Sequence, residues 1–550
     1  MNIVIIGGGI TGLKAASRAR RRDPELKITI IERKNYISLA KCGLPFYIGG
    51  LVHEIDNLRE TTYGVVGDEK FFRKVKNIDV LTSTEVTDVD PKRKVVKIST
   101  KHSDDELNYD CLVIATGSTP IRLNVCEDNS DRILYPHLPE DTNKLIELWE
   151  EGAERAVVVG SGLIGLEMCE ALSNLEFNVT LIESADQIAP KILDLDMAKL
   201  VELHLLEKNI NVMLSSNIKD IKERKDELVV QTTRGDLITD IIVIAAEVRP
   251  NIELARKAGL QIGMTGAIKV NKRMQTSEKC IFSGGDCVEN YHLITNKEVY
   301  FPFCNVASKH GRIIGDNIAG GNSEFPGILG TIIFKVFNFT VARTGLNEFE
   351  AINNGFNPTS VIVPCPDRSH YYPGTSYIRM KITFDCNSRK LLGAQIVGSG
   401  IIDKRIDVLA TAIYSGLSID QVANLDLGHS PPFSAPLDSV ITAANVAKNK
   451  LDGLLETIKA DELRKMLQED DVIIIDLRSE DETRLKKIDH RSYINIPITE
   501  LREKITGIPR DKKIVLVCQL GLRSYEASRI LKGMGFKHVK ILEGGLAFWN

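Results

Sequence analysis

The sequence predicts an α/β chain of several domains. A hydrophobic strand leads into a glycine-rich turn and a helix near residue 7, and the same order returns near residue 160. After about residue 326 the pattern changes to alternating strands, and a further α/β segment starts after residue 458. With 550 residues, the chain is long enough for about three or four domains of ordinary size.

The composition argues against several classes of protein. Hydrophobic residues make up 43% and charged residues 26%, which indicates folded cores. Lysine and arginine number 70 against 74 acidic residues, and this balance argues against a nucleic-acid binder or a polybasic membrane binder. There is no apolar run of about 20 residues, the length of a membrane span, and no secretory signal at the start. We therefore expect a cytoplasmic chain.

The first glycine turn lies between a strand at residues 2–6 and a helix at residues 13–22. Glycines at the G-x-G-x-x-G spacing let backbone N–H groups approach a pyrophosphate, and the helix N-terminus adds positive potential. An acid, Glu32, ends the next strand, where it suits a ribose 2′-hydroxyl. The three glycines of this predicted dinucleotide site are Gly7, Gly9 and Gly12.

The second glycine turn repeats the pattern after the strand at residues 156–159. Its acid is Glu183, which would repel a 2′-phosphate and so favours NADH over NADPH. The three glycines are Gly160, Gly162 and Gly165. Two such units in one chain predict two dinucleotides.

Two further segments identify a family. One strand closes with Ala115-Thr116-Gly117, and another is followed by Gly284-Gly285-Asp286. With the two glycine turns, this order resembles the pyridine nucleotide–disulfide reductases over roughly residues 1–446. The resemblance implies that the first unit binds FAD through Ala115, Thr116, Gly117, Gly285 and the first turn, that Asp286 contacts the ribityl chain, and that the second unit binds NADH. Glu247, where the family usually has glycine, leaves NADPH open as an alternative.

The resemblance also implies the domain order. We expect a discontinuous FAD-binding domain at residues 1–118 and 249–325, with an NAD(P)H-binding domain at 119–248 inserted into it. An α+β dimerisation domain follows at 326–446, with predicted strands at 377–384 and 391–397. A linker at 447–458 would connect it to a C-terminal α/β domain at 459–550.

A single cysteine stands in the segment Lys41-Cys42-Gly43-Leu44-Pro45. Glutathione-reductase-like members have a second cysteine five residues later, but this chain has Tyr47, so no dithiol forms within the segment. Cys42 would therefore cycle as a mixed disulfide, a persulfide or a sulfenic acid, helped by the neighbouring Lys41 cation. The sequence around Cys42 resembles that of the coenzyme A-disulfide reductases most. The other cysteines, apart from Cys518, are expected to pack, and no cysteine cluster has metal-ligand spacing.

Further positions fit a coenzyme A thiol and a homodimer. Arg22 and Arg73 match positions that resemble the family's phosphate contacts. Tyr371 and Tyr372 lie in a segment that resembles one reaching across the dimer to the thiol. His429 stands where the family usually has tyrosine, and its imidazole is expected to protonate the leaving thiol.

The last domain contains a second candidate thiol. Cys518-Gln519-Leu520-Gly521-Leu522-Arg523 lies between a hydrophobic strand and a helix. Such a loop directs N–H groups and the positive potential of the helix and Arg523 at the sulfur. With Asp476-Leu477-Arg478 and Gly544-Gly545, the segment resembles a rhodanese domain.

The combined resemblance implies an FAD-dependent NAD(P)H oxidoreductase that reduces coenzyme A disulfide, persulfide or polysulfide through Cys42. Cys518 would accept sulfane sulfur and deliver it, with release of sulfide. The expected partners are small thiols and persulfides and a second copy of the chain, without nucleic acid or membrane. Two alternatives stay open: an NADH oxidase or peroxidase that uses a sulfenic acid, and a sulfur-relay or redox-sensing protein without fast turnover.

Overall fold

The structure is a computed structural model that describes residues 1–123, 130–225, 227–468 and 472–549. The chain divides into two compact units. The first comprises Met1–Ala189 and Leu205–Gly330, and the second comprises Pro190–His204 and Thr331–Asn550. Within the described ranges, every helix is too short or too polar to cross a membrane.

The first unit contains two parallel five-stranded sheets, and each is centred on the strand that precedes a glycine turn. The central strands are Asn2–Ile6 and Arg155–Val159. Both are runs of Ile or Val buried on both faces, as parallel strands between helices require. In spatial order the first sheet is Ile281–Ser283, Cys111–Ile114, Asn2–Ile6, Lys27–Ile31 and Asp79–Leu81. The second is Asn211–Met213, Asn178–Ile182, Arg155–Val159, Ile241–Ile244 and Ile133–Leu134.

Helices and small antiparallel sheets complete this part of the chain. The helices are Ile10–Arg22, Leu44–Ile48, Glu69–Lys76, Pro139–Glu150, Leu163–Asn174, Glu253–Lys257 and Cys304–Ile318. The helix Leu195–Glu207 lies mostly in the segment Pro190–His204 of the second unit. One three-stranded sheet consists of Glu85–Asp90, Val95–Ser99 and Asp104–Asn108, and the other of Ile218–Arg224, Glu227–Thr232 and Gly235–Thr239. Two strand pairs join Ser118–Pro120 to Val248–Pro250 and Asn290–Tyr291 to Glu298–Val299.

The second unit starts with an antiparallel five-stranded sheet. Its order is Ile332–Val336, Phe339–Gly345, Leu391–Gly398, Tyr377–Asp385 and Pro358–Pro366. The helices around it are Glu348–Asn353, Asp403–Tyr414, Ile419–Val422 and Ser439–Leu451. The segment predicted as a linker, residues 447–458, starts inside the last of these helices and ends in the strand Thr457–Ile458.

The C-terminal part of this unit is a parallel sheet with an apolar core on each face. Its strands are Thr457–Ile458, Val539–Leu542, Lys513–Val517, Val472–Asp476 and Tyr493–Asn495. Its helices are Ala460–Met466, Glu480–Leu485, Leu501–Lys504 and Leu522–Gly533. The mixed α/β fold class is confirmed.

A buried cation fixes the segment Pro190–His204 to the antiparallel sheet. Lys381 Nζ lies 2.8 Å from Asp194, 2.7 Å from Asp196 and 3.6 Å from Glu348. Burial alone would lower the pKa of Lys381, but the three carboxylates outweigh it and raise the pKa. The ammonium therefore stays charged in the core, where it neutralises three partly buried acids.

Replacing Lys381 by Met should destabilise the protein by about 3–5 kcal/mol, because it leaves partly buried carboxylates without the buried cation that they share. Denaturant-induced unfolding of the two proteins measures the difference. Lys537→Met, at an exposed position of the same unit, is the matched control and should change the stability by less than about 0.5 kcal/mol. Equal effects of both variants would show that the buried charge cluster contributes nothing specific.

Candidate active site

The first glycine turn has two glycines that the fold itself needs and one that leaves open space. A Cβ on Gly7, whose φ is +111°, would lie 2.2 Å from the Ala115 carbonyl oxygen. One on Gly12 would lie 2.1 Å from the Gly7 oxygen. Gly9 has ordinary dihedrals and no atom within 4 Å of its Cβ position. The outer glycines thus close the turn against the sheet, and the middle one leaves room for a ligand.

The second turn repeats this division of roles. A Cβ on Gly160 would lie 3.0 Å from the Ala245 oxygen, and one on Gly165 would lie 1.9 Å from the Gly160 oxygen. Gly162 again faces open space. Each turn leads directly into a helix of twelve or thirteen residues, so free N–H groups meet any phosphate that enters. The residues present fit the diphosphate of a dinucleotide at both turns.

Substitutions at the two kinds of glycine should have different effects, one on folding and the other on flavin binding. Gly12→Ala should destabilise the apoprotein by about 1–3 kcal/mol, since its methyl group meets a backbone oxygen. Gly9→Ala should leave the stability of the apoprotein within about 0.5 kcal/mol of the original and weaken retention of the flavin. Unfolding of the apoproteins and flavin content after purification measure the two effects. If both variants lost the fold equally, the middle glycine would also be structural.

The two strand-end acids are held against their glycine turns. Glu32 Oε2 accepts a hydrogen bond from the Gly8 N–H at 2.8 Å. Glu183 accepts from the Ser161 N–H at 2.9 Å and from its hydroxyl at 2.6 Å, and from the Ala185 N–H at 2.9 Å. Burial alone would raise the pKa of Glu183, but these donors outweigh it and lower the pKa. Both acids therefore organise the turns, and their contact with a ribose stays a prediction.

The two other family segments meet at the same sheet edge. Thr116 donates to the Asn251 carbonyl at 2.7 Å, and Gly117 has a φ of +68°. Ser118 donates to Asp286 at 3.2 Å, and Gly285 has a φ of +83°. Burial raises the pKa of Asp286.

Cys42 lies in the short 3₁₀ turn Lys41–Gly43 and is exposed. Cys304, the first residue of the helix Cys304–Ile318, is also exposed. Interaction between the two thiols lowers the pKa of Cys304 to about 6 and raises the pKa of Cys42.

One expectation about the thiols was wrong: Cys304, expected to pack, is exposed at the start of a helix. Lys41 Nζ lies 3.0 Å from His137 Nε2, and burial lowers the pKa of Lys41. Its help to a thiolate at Cys42 stays a prediction. Cys126 lies outside the described residues.

The residues expected near a partner subunit lie in two neighbouring loops of the second unit. Ser369 donates its N–H to the Pro431 carbonyl at 3.3 Å and its hydroxyl to the Ser434 carbonyl at 3.4 Å. Tyr371 is 69% exposed, and the His429 ring bonds to the Ser434 carbonyl at 3.1 Å. Tyr372 follows Tyr371 and is half-buried. The structure brings these predicted residues together on one surface.

The basic residues expected to bind phosphate lie on the helices Ile10–Arg22 and Glu69–Lys76. Arg22 and Arg73 are largely exposed, at 3.6 Å and 3.9 Å from single aspartates. Lys76 joins the two helices by donating to Ser17 at 3.0 Å. Burial and the nearby Arg21 lower the pKa of Lys76, as expected where several cations crowd one surface.

The C-terminal thiol sits in a preformed loop. Cys518 is 2% exposed, and the Gly521 N–H points at its sulfur from 3.1 Å. Arg523 is the second residue of the helix Leu522–Gly533, and its guanidinium forms a bidentate pair with Glu482 at 2.7 and 2.8 Å. Arg523 therefore holds the loop to the helix Glu480–Leu485 as well as adding positive potential. A Cβ on Gly545 would lie 2.6 Å from the Cys518 carbonyl, which explains the second glycine of the Gly544-Gly545 motif.

Known proteins resemble the chain along its whole length. The family model described as pyridine nucleotide-disulphide oxidoreductase matches residues 1–311, its dimerisation domain matches residues 331–440, and the rhodanese-like domain matches residues 459–550. A solved NAD-dependent persulfide reductase from A. fulgidus is 53% identical, with a TM-score of 0.96 and all of both chains covered.

Two curated relatives have different names. An NAD(P)H coenzyme A polysulfide/persulfide reductase from Pyrococcus horikoshii is 33% identical over 81% of this chain and 98% of its own length. An NADH oxidase from Methanocaldococcus jannaschii is 34% identical over 82% of this chain and 99% of its own length. These names point to different electron acceptors, sulfur compounds or oxygen, so the residues of the site have to distinguish between them.

Proposed function

The chain belongs to the pyridine nucleotide-disulphide oxidoreductase family and ends in a rhodanese-like domain, and on that premise we propose that it is an NAD(P)H-dependent reductase of coenzyme A persulfide, coenzyme A disulfide or polysulfide. Cys42 forms the mixed disulfide or persulfide, and Cys518 delivers sulfane sulfur. Sulfide is the product. FAD and NAD(P)H are the cofactors.

One observation carries the proposal: the same chain holds two sulfur sites of different kinds. Cys42 is an exposed thiol in the short 3₁₀ turn Lys41–Gly43. Cys518 is a buried thiol with a backbone N–H directed at its sulfur, which suits an anionic persulfide. An oxidase has no use for the second site, whereas a reductase of sulfane sulfur can receive its substrate from it.

FAD, when bound, supplies the two electrons that cleave the bond to sulfur. The turn at Gly7, Gly9 and Gly12 would hold its diphosphate, and Asp286 its ribityl chain. The turn at Gly160, Gly162 and Gly165 would hold NAD(P)H. Glu183, kept ionised by its donors, opposes a 2′-phosphate and so favours NADH.

Coenzyme A and a second subunit would complete the site around Cys42. The exposed Arg22 and Arg73 suit phosphates, whose bidentate contacts arginine favours. Tyr371, Tyr372 and His429 lie on a surface that a partner copy would meet. In the dimer, His429 would supply the proton that a leaving thiolate takes up.

Anaerobic consumption of NADH with four acceptors tests the function: coenzyme A persulfide, coenzyme A disulfide, polysulfide and hydrogen peroxide, with oxygen assayed separately. The proposal expects fast turnover with the sulfur compounds. Faster turnover with oxygen or peroxide would favour the activity in the name of the M. jannaschii relative. Slow turnover with every acceptor would favour a sulfur-relay or sensing role.

A further inference from the structure

We propose that the second unit binds a short peptide with free ends, in a cavity beside the edge strand Thr457–Ile458 of its parallel sheet. Such a site is independent of the proposed function and adds a binding activity to it. The cavity has a volume of about 430 Å³, within the range of about 300–1,000 Å³ that is typical of small-molecule sites. Its residues offer a carboxylate, an ammonium and a strand edge to an occupant.

The carboxylate is that of Glu543, which directly follows the strand Val539–Leu542. Its side chain is 3% exposed, and neither of its oxygens accepts a hydrogen bond from any residue that the structure describes. Lys450 Nζ lies 3.6 Å away and donates instead to the Ser360 carbonyl at 2.7 Å. Burial raises the pKa of Glu543 even though nearby lysines oppose the rise. Because a buried acceptor without a donor is costly, this end of the cavity favours a ligand with N–H donors, such as a peptide N-terminus.

The ammonium is that of Lys540, a partly buried residue of the same strand. Lys540 forms no ion pair with the described part of the chain. Lys459, another lysine of the cavity, differs in that it is paired with Glu348 at 2.7 Å. Lys540 is therefore the cation that can meet the carboxylate of a ligand.

The strand edge is provided by Thr457, which lines the cavity. Its strand is the outermost of the five in the sheet. The carbonyl groups on either side of Thr457 accept hydrogen bonds from the N–H groups of Ile541 and Glu543, both at 3.0 Å. Thr457 therefore directs its own N–H and C=O away from the sheet, since alternate residues of a parallel strand bond to opposite sides. An extended peptide can pair with such an edge.

The two charges indicate the length and the direction of the peptide. Lys540 and Glu543 are three residues apart along an extended chain, which spans about 10 Å. An extended tripeptide has the same length, whereas the two charged groups of a single amino acid share one carbon atom. Glu543 lies at the carboxyl end of the edge strand, because its N–H bonds to the Ile458 carbonyl. A peptide with its ammonium at Glu543 and its carboxylate at Lys540 therefore runs antiparallel to Thr457–Ile458.

Binding of triglycine to the full-length holoenzyme tests the proposal, because triglycine has both charged ends and no side chain. Equilibrium dialysis measures its Kd and those of two matched ligands. N-acetyl-triglycine lacks the ammonium, and triglycinamide lacks the carboxylate. We expect each blocked ligand to bind at least about 10-fold more weakly than triglycine.

Two variants assign each end of the peptide to its residue. Glu543→Gln should weaken triglycine by about 10-fold and make triglycine and N-acetyl-triglycine bind equally. Lys540→Met should do the same for triglycine and triglycinamide. Lys537→Met, at an exposed position of the same unit, is the control and should leave all three Kd values within about twofold of wild type.

Three results would overturn the proposal. Wild-type protein that binds the three ligands equally would have no use for the charged ends, and wild-type protein that binds no triglycine up to about 10 mM would have no such site. A preference for free ends that both variants keep unchanged would place the peptide elsewhere. The first two results need no variant, so they stand even if a substitution impairs folding.

Discussion

Replacing Cys42 by serine should lower the rate of NADH-dependent reduction of coenzyme A disulfide or persulfide by about 1000-fold or more. A serine hydroxyl does not form the mixed disulfide through which the electrons pass, and the reaction has no other covalent intermediate in place of that disulfide. Steady-state NADH consumption without oxygen measures the loss. Reduction of the flavin by NADH should persist in the variant, because the second glycine turn does not depend on the thiol.

Cys386→Ser is the matched control for this substitution, since it also removes one cysteine that is not buried. It should keep the wild-type rate within about twofold. If Cys42→Ser kept more than about a tenth of the wild-type rate, another residue would have to carry the sulfur chemistry.

Replacing Cys518 by serine should abolish sulfur transfer and spare the reduction of coenzyme A disulfide. The reason is geometric: the Gly521 N–H meets the Cys518 sulfur at 3.1 Å, and serine at this position does not carry sulfane sulfur. Transfer from thiosulfate or polysulfide to a thiol acceptor and reduction of coenzyme A disulfide are measured on the same preparation. The first should fall by about 100-fold or more and the second by less than about twofold.

The comparison of the two activities supplies its own control for folding. A variant that lost both together would show a structural role for Cys518, and one that kept both would remove the C-terminal domain from the sulfur pathway.

Local patterns were enough to predict much of the fold and part of the site. Each glycine turn lies in a single strand–turn–helix segment, so its spacing, its strand and its acid could be read from about thirty consecutive residues. The same holds for the Cys518 loop, which starts at the end of a hydrophobic strand. The predicted family, fold class and rhodanese-like domain are confirmed by the family models.

The contacts that sequence reasoning missed join segments far apart in the chain. The helices Ile10–Arg22 and Cys304–Ile318 pack backbone to backbone through Gly311 and Gly315. Lys381 pairs with Asp194 and Asp196, which precede it in the chain by almost two hundred residues. Neither pairing leaves a periodic or local signal, because each depends on how separate elements pack. The contact of the Lys41 ammonium with His137 has the same origin.

The ratio of sulfide released to NADH oxidised tests the central claim most directly. With coenzyme A persulfide as the only acceptor and no oxygen present, one two-electron reduction should release one sulfide per NADH. The account predicts that ratio to stay near one throughout turnover, and to fall to zero in Cys42→Ser. Oxidation of NADH without release of sulfide, or only when oxygen or peroxide is added, would contradict it.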